Sequence, residues 1–546
     1  MTELLKIKDL HIEGFTDEKW IKIVHGIDLI LERGEIIGLI GESGAGKSTI
    51  GLAAMGYTRL GCRIASGSIV FDGMELFEAD EKTKKNIRGT RIAYVAQSAA
   101  ASFNPAHRLI KQYSEAPVQH GLMKFAEAEK NAVDIYSRLL LPDPENIGYR
   151  YPHQVSGGQL QRAMVAMAMA CRPDIIVFDE PTTALDVTTQ IEVLAAIKNI
   201  TRQFNTAAIY ITHDLAVVAQ LADRIMVLRY GNLVEENDAR KILANPKKEY
   251  TRKLLSVRTL SEDKDLSTSE KDVILKVEDV SASYTGTEMV LEDIDLKIRR
   301  GRTVALVGES GSGKSTLARV VTGLLSPLKG QVFYEGKQLP PALRSRDRES
   351  LRTMQMIYQM PDTALNPRQK VRKIIGRPLA FYFGMKGKER ENRVLELLDM
   401  IELSSNYIER YPGELSGGEK QRICIARALA AKPNLIICDE VTSALDQLVA
   451  EEILKLMQEL QNELSVSYLF ITHDLATVKA ISDEIVVMLK GRIVEQGVKK
   501  DVLAPPHHEY TELLLSSVPE MDPDWLDGVL EMRKRKGIKM EEFVQS

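Results

Sequence analysis

The sequence predicts an α/β protein in which one domain is present twice. The stretch GESGAGKST at 41–49 returns as GESGSGKST at 308–316, 267 positions later. Short apolar runs without polar alternation (EIIGLIG at 35–41, TVALVG at 303–308, IIVF at 175–178, LIIC at 435–438) end at the motifs. Such runs fit strands buried on both faces of a parallel sheet. The segment ENRVLELLDMI at 391–401 puts Val394, Leu395, Leu398 and Ile401 on one helical face, so each α/β core is expected to carry a helical insert.

The repeat extends over nearly the whole chain. AYVAQ (93–97) answers QMIYQ (355–359), and VSGGQLQR (155–162) answers LSGGEKQR (415–422). IIVFDEPTTALD (175–186) answers LIICDEVTSALD (435–446), ITHDLA recurs at 211–216 and 471–476, and NPKKEYTRKLL (245–255) parallels PPHHEYTELLL (505–515). The offset drifts from 267 to 262 to 260, a difference of a few loop residues. The expected domains are 1–258 and 273–546. Between them, TLSEDKDLSTSEKD (259–272) has the polar, aromatic-free composition of a linker. Fully extended it reaches about 45–50 Å, enough for the two copies to face each other.

Composition narrows the function classes. A length of 546 residues implies more than one domain, and 44% hydrophobic with 27% charged residues is globular. The 72 Lys and Arg against 76 Asp and Glu give a net charge of −4, which argues against a nucleic-acid partner. Cys62, Cys171, Cys424 and Cys438 are scattered and read as reduced core thiols. No apolar run approaches the ~18–20 residues of a membrane span, and the charged N-terminus lacks a signal peptide's apolar block.

The chemistry sits in the repeated motifs. The pattern G-x-x-x-x-G-K-[ST] is met by Gly41, Gly46, Lys47 and Ser48, and again by Gly308, Gly313, Lys314 and Ser315. Glycines let backbone N–H groups curl around phosphate oxygens, and the helix N-terminus beyond adds positive potential. Lys47 and Lys314 are expected on the β- and γ-phosphates, and the hydroxyls of Ser48 and Ser315 on Mg²⁺. Of the acid pairs at strand ends, Asp179 and Asp439 suit the Mg²⁺ shell, while Glu180 and Glu440 suit polarisation of an attacking water. His213 and His473, each ending a strand, are expected to meet the γ-phosphate. VSGGQ and LSGGE open helices, and a serine with two glycines there makes a second anion site in each copy.

Phosphate loop, glutamine, S-G-G, D-E, A-L-D and T-H-D, in this order and twice over, resemble the ATP-binding cassette (ABC) ATPases. That resemblance implies tandem P-loop NTPase domains, each with a RecA-like α/β core, an antiparallel β subdomain and a helical subdomain. In the family two cassettes pack head to tail, and each ATP lies between one phosphate loop and the opposite S-G-G. One site is then expected from Gly41, Glu42, Ser43, Gly44, Ala45, Gly46, Lys47, Ser48 and Thr49, with Gln97, Asp179, Glu180 and His213, completed by Ser416, Gly417 and Gly418. The other is expected from Gly308, Glu309, Ser310, Gly311, Ser312, Gly313, Lys314, Ser315 and Thr316, with Gln359, Asp439, Glu440 and His473, completed by Ser156, Gly157 and Gly158. Gln97 and Gln359 also join the Mg²⁺ sphere, and Asp186 and Asp446 become acids at the cassette seam. Phe15 and Tyr284 stand where the family stacks an aromatic on adenine, with Trp20 a rival to Phe15. Val155 departs from the family's leucine and Val441 from its proline. Neither change removes a polar group, so two hydrolytic sites are expected.

A finer resemblance, in SAAASFNPAHRL (98–109), PDTALNPRQKV (361–371), DEPTTALDV and EYTELLL, points to the oligopeptide/dipeptide/nickel importer ATPases. It implies two membrane permease subunits, a solute-binding protein acting through them, and a peripheral position on the cytoplasmic face of the inner membrane. Residues 97–105 and 359–367 would face the permease, with Phe103 and Leu365 in the contact. The alternatives are soluble tandem-cassette ATPases, either a ribosome-associated factor or a metalloenzyme activator. The short linker, the acidic balance and the absence of N-H-L-D weigh against the ribosomal one. Some relatives carry an iron–sulfur cluster, but 244–280 has no cysteine and none is expected. The methionines of AMVAMAMA (163–170) read as helix packing, and RKRKGIK (533–539) as charged surface. The cargo is open among peptide, glutathione, opine, nickel chelate and sugar.

Overall fold

A computed structural model of the chain describes residues 3–16, 18–183, 185–256, 272–443 and 445–536. The linker proposed at 259–272 falls, except for Asp272, outside them. The contacts divide the described residues into two compact units: 3–256 with 519–536, and 272–518. The sequence assigns everything after 273 to the second domain. The described residues 519–536 instead pack on the first, because their apolar face is buried there.

Each unit holds the same two sheets. In the first, a six-stranded sheet runs Asn232–Asp238, Arg224–Arg229, Ile36–Ile40, Ala207–Thr212, Ile175–Asp179, Ile92–Val95, with all pairs parallel except the first. The second unit repeats this order with Arg492–Val498, Glu484–Leu489, Thr303–Val307, Ser467–Ile471, Leu435–Asp439 and Met354–Ile357. The phosphate-loop strands Ile36–Ile40 and Thr303–Val307 are buried at every position, as runs without alternation require.

A four-stranded antiparallel sheet covers each core: Lys19–Glu32, Glu3–Thr16, Cys62–Phe71, Met74–Glu75 in the first unit, and Leu291–Arg299, Val273–Ala282, Lys329–Tyr334, Lys337–Gln338 in the second. Its inward side chains, such as Leu5, Ile7 and Phe71, share one apolar cluster with Ile37, Leu39 and Val177 of the parallel sheet.

The helical inserts are Leu109–Gln119, Phe125–Arg138 and Gly157–Met169, matched by Val371–Phe383, Gly387–Met400 and Gly417–Leu429. On Gly387–Met400 the fully buried side chains are Val394, Leu397 and Leu398. Leu395 is only half-buried, and Leu397 takes its place on the buried face beside Val394, Leu398 and Ile401. Met164 and Met169 are buried packing residues. All four cysteines are free; Cys424 and Cys438 are buried, but Cys62 and Cys171 are only partly so. Among the described residues no helix is long and apolar enough to cross a membrane.

Candidate active site

Each phosphate loop connects a buried strand to a helix, Lys47–Ala53 or Lys314–Thr322. A side chain at position 41 would place its Cβ 2.1 Å from the Leu228 carbonyl oxygen, and at 308 the gap to that of Met488 is 2.2 Å. Only glycine lets the loop start this close to the neighbouring strand. Gly46 and Gly313, at φ of 89° and 103°, take the left-handed turn that starts each helix. Lys47 Nζ donates to the carbonyls of Gly41 (2.6 Å) and Glu42 (3.0 Å); Lys314 Nζ donates to Gly308 (2.8 Å), Glu309 (2.7 Å) and the Ser312 hydroxyl (3.4 Å). Both ammoniums are buried inside their loops.

The predicted side chains of each unit gather around this loop. Ser48 Oγ donates to Asp179 Oδ1 at 2.7 Å, and Ser315 Oγ to Asp439 Oδ1 at 3.0 Å. Gln97 Nε2 donates to Glu180 Oε2 at 3.0 Å, and Gln359 Nε2 to Glu440 Oε2 at 2.6 Å. On the other carboxylate oxygen, His213 Nδ1 lies 3.1 Å from Glu180 Oε1, and His473 Nδ1 lies 3.3 Å from Glu440 Oε1. Each glutamate is thus clasped between a glutamine and a histidine. Its backbone is held at φ 51°, in the left-handed region that a non-glycine residue seldom adopts. The Glu180 and Glu440 amides donate to the Ile211 and Ile471 carbonyls at 2.9 Å, which fixes this sharp exit from the strand.

Burial pushes the Glu180 carboxyl up, but the His213 hydrogen bond and charge, with Lys47 beyond, outweigh it and hold the group below the ordinary glutamate range. Glu440 behaves likewise with His473 and Lys314. For both histidines burial acts downward and the glutamate bond wins, so each sits above its ordinary value. Burial also raises Asp439, against the Ser315 hydrogen bond.

The S-G-G segments lie elsewhere in each unit. Ser156 caps Gly157–Met169 by accepting from Gln159 N, and Ser416 caps Gly417–Leu429 by accepting from Glu419 N, both at 3.3 Å. A Cβ on Gly158 would meet Thr189 Cγ2 at 2.0 Å and one on Gly418 would meet Val449 Cγ1 at 2.5 Å, whereas Gly157 faces open space. Asp186 and Asp446 cap the helices Val187–Phe204 and Gln447–Leu464. Tyr284 Oη reaches Thr316 Oγ1 at 3.2 Å and accepts from Arg319 at 3.1 Å, which sets its ring beside the second loop's helix. Phe15 and its rival Trp20 are cross-strand neighbours with ring centroids 5.2 Å apart, both exposed.

Two contributions escaped the sequence reading. Tyr94 donates to Asp179 Oδ2, while Met356 occupies the corresponding place in the second unit. Tyr250 and Tyr510, both inside the repeated E-Y-T, accept from the backbone amides of Glu42 (3.4 Å) and Glu309 (2.9 Å) and brace the loops from behind. The repeat flagged those tyrosines, but a contact 208 residues away in sequence carries no local signal. The expected permease contacts need correction. Phe103 and Leu365 are 4% and 2% exposed and belong to the core, whereas Tyr358 and Met360, on either side of Gln359 in the sequence, are exposed.

A family model described as "ABC transporter" matches residues 24–183 and 291–443, and one described as "Oligopeptide/dipeptide transporter, C-terminal region" matches 494–544. The chain is 35% identical to the glutathione import ATP-binding protein GsiA of Salmonella choleraesuis (strain SC-B67) and to that of Escherichia coli (strain K12), covering 95% of this chain and 90% of theirs. Among solved structures, cbiO1 from Clostridium perfringens is 31% identical over 42% of this chain and 90% of its own, with a TM-score of 0.39. The bacterial ABC transporter cassette MJ0796 is 30% identical over 41% of this chain and 98% of its own, with a TM-score of 0.38. Two cassette matches, the importer C-terminal region and near end-to-end likeness to an importer ATPase set aside the ribosomal and metalloenzyme alternatives. The chain belongs to the ATP-hydrolysing subunits of ABC importers, in the oligopeptide/dipeptide branch, with both cassettes on one polypeptide.

Proposed function

We propose that this chain drives uptake of a small peptide-like solute through two composite ATP sites, each completed by the S-G-G of the opposite cassette. The observation that carries the reading is that both units hold the same full set of Lys, Ser, Gln, Asp, Glu and His in the same contacts. Neither site is degenerate. The relatives are glutathione import ATP-binding proteins, which favours a short peptide as the cargo class.

In this reading Lys47 and Lys314 hold the β- and γ-phosphates, and the loop amides and helix N-termini complete the cradle. The paired oxygens of Ser48 and Asp179, and of Ser315 and Asp439, are hard donors suited to Mg²⁺. An Mg²⁺ ion held there would supply neutralisation of phosphate charge. Glu180 and Glu440, ionised at neutral pH, accept the proton of the attacking water once Gln97 and Gln359 release them. His213 and His473 then contact the γ-phosphate. The glutamines lead straight into the segments expected to face two permease subunits, so their release would pass the nucleotide state to the membrane. The chain would sit peripherally on the cytoplasmic face of the inner membrane, with a solute-binding protein acting through the permeases.

The test isolates one site. In a Glu440→Gln background only the first loop turns over. Replacing Ser416 with Arg should then abolish the remaining phosphate release, while Ser156→Arg should change it little. The opposite pattern would refute the composite arrangement.

A further inference from the structure

The described end of the chain belongs to the first unit, although it follows directly on the second. The helix Trp525–Lys536 buries Leu526, Val529 and Arg533, a stripe on one helical face. Its seat is polar as well as apolar. Gln220, 2% exposed, donates from Nε2 to the carbonyls of Glu520 (2.7 Å) and Asp522 (3.0 Å), and its Oε1 accepts from Leu526 N at 3.1 Å. One side chain therefore holds the incoming segment and satisfies an amide in the first turn of the helix. Lys198, also buried, donates to Asp527 Oδ1 at 2.9 Å. Arg240 forks onto Asp524 at 2.6 and 3.0 Å, an exposed pair that adds direction more than strength.

The duplication offers an internal comparison. The second copy carries Gln458 and Ala480 where the first has Lys198 and Gln220. There Gln458 Nε2 donates to the Ala480 carbonyl at 3.0 Å, inside its own unit. Among the described residues the polar seat is thus built only on the first copy. A buried ammonium and a buried carboxamide with partners in the tail make undocking costly.

We infer that residues 519–536 form an intramolecular clasp, seated on Lys198 and Gln220, that joins the cassettes independently of nucleotide. Together with the linker it gives them two connections, which raises the effective concentration of one cassette for the other throughout the cycle. The inference rests on the packing of the first unit alone and not on the composite sites or the cargo.

The experiment places a protease site after Leu266 in the full chain, cuts it, and runs the product on gel filtration without nucleotide. The cut protein should elute at the size of the intact chain. Two variants should elute as separate halves: Lys198→Gln/Gln220→Ala, which installs the second copy's residues, and a chain ending at Val518. In each, the concentration at which the halves part should rise about tenfold or more. Separation with the tail intact would overturn the inference. So would joint elution of both variants at unchanged concentration. Elution at twice the intact size would also overturn it, because the tail would then be seated on a neighbouring copy. Should the double variant fail to fold by circular dichroism, the truncated chain decides.

Discussion

Tyr94 Oη lies 2.5 Å from Asp179 Oδ2, a hydrogen bond the second unit lacks because Met356 stands in the matching place. Ser48 occupies the other oxygen of Asp179, so both oxygens of the first unit's acid have donors, while Ser315 is the donor described for Asp439. If Asp179 and Asp439 hold Mg²⁺ as proposed, the two sites differ in how readily this acid turns to the cation, because a phenol donating to the carboxylate would compete with it. We expect Tyr94→Phe to lower the Mg²⁺ concentration for half-maximal ATPase at the first site by about fivefold, from ~1 kcal/mol of competing hydrogen bond. Met356→Tyr should raise it at the second. Mg²⁺ titrations with the other site silenced read both effects. An unchanged midpoint for Tyr94→Phe would contradict the competition.

The buried and exposed residues beyond the glutamines should separate. Phe103→Ala opens a core cavity and should cost about 3–5 kcal/mol, seen as a lower denaturant midpoint. Met360→Asp, at an exposed position, should leave that midpoint unchanged within ~0.5 kcal/mol but reduce co-purification with the permeases. Undiminished co-purification would remove 359–367 from the membrane contact.

The glutamate–histidine pairs give a pH signature. With the histidines above their ordinary value, the stabilisation they contribute is complete below about pH 6.5 and fades as pH rises through the raised folded-state value. The depressed glutamates act oppositely, losing their contribution only in acid. Between pH 6 and 8 the Tm should therefore fall by roughly 1–2 °C from this source. A His213→Asn/His473→Asn variant should show a flatter profile across that range in scanning calorimetry. An identical slope would remove the pairs as its origin.

The adjacent glycines of the first S-G-G have different duties. Gly158→Ala forces a methyl against Thr189 and should lower the Tm by several degrees. Gly157→Ala meets open space, so the Tm should hold while ATP turnover at the second loop falls. Equal effects on stability would show that packing, and not access to a ligand, fixes Gly157.

Much of the site could be read in the sequence because its chemistry is local. The loop glycines, Lys47, Ser48 and the acids after the strand Ile175–Asp179 each stand at fixed offsets from a buried apolar run. Tyr94 stayed hidden because a tyrosine in a strand is ordinary, and only pairing of the strands Ile92–Val95 and Ile175–Asp179 brings it to Asp179. Phe103 is hidden for a related reason: the short helix Ala99–Ser102 turns its ring inward, a packing that no local pattern in the sequence marks. Arg533 reads as charged surface in the sequence, because its burial depends on a face of another segment more than 300 residues earlier, which includes Glu192.

The left-handed backbone at Glu180 and Glu440 sets these positions apart in mutational terms. Glycine adopts that conformation without penalty, whereas glutamate holds it at about 1–3 kcal/mol of strain. Glycine at either position would thus relax the strand exit while deleting the carboxylate. Selection for a sturdier fold and selection for turnover pull in opposite directions at these two residues, and an inactive copy freed from the second would be expected to drift there first.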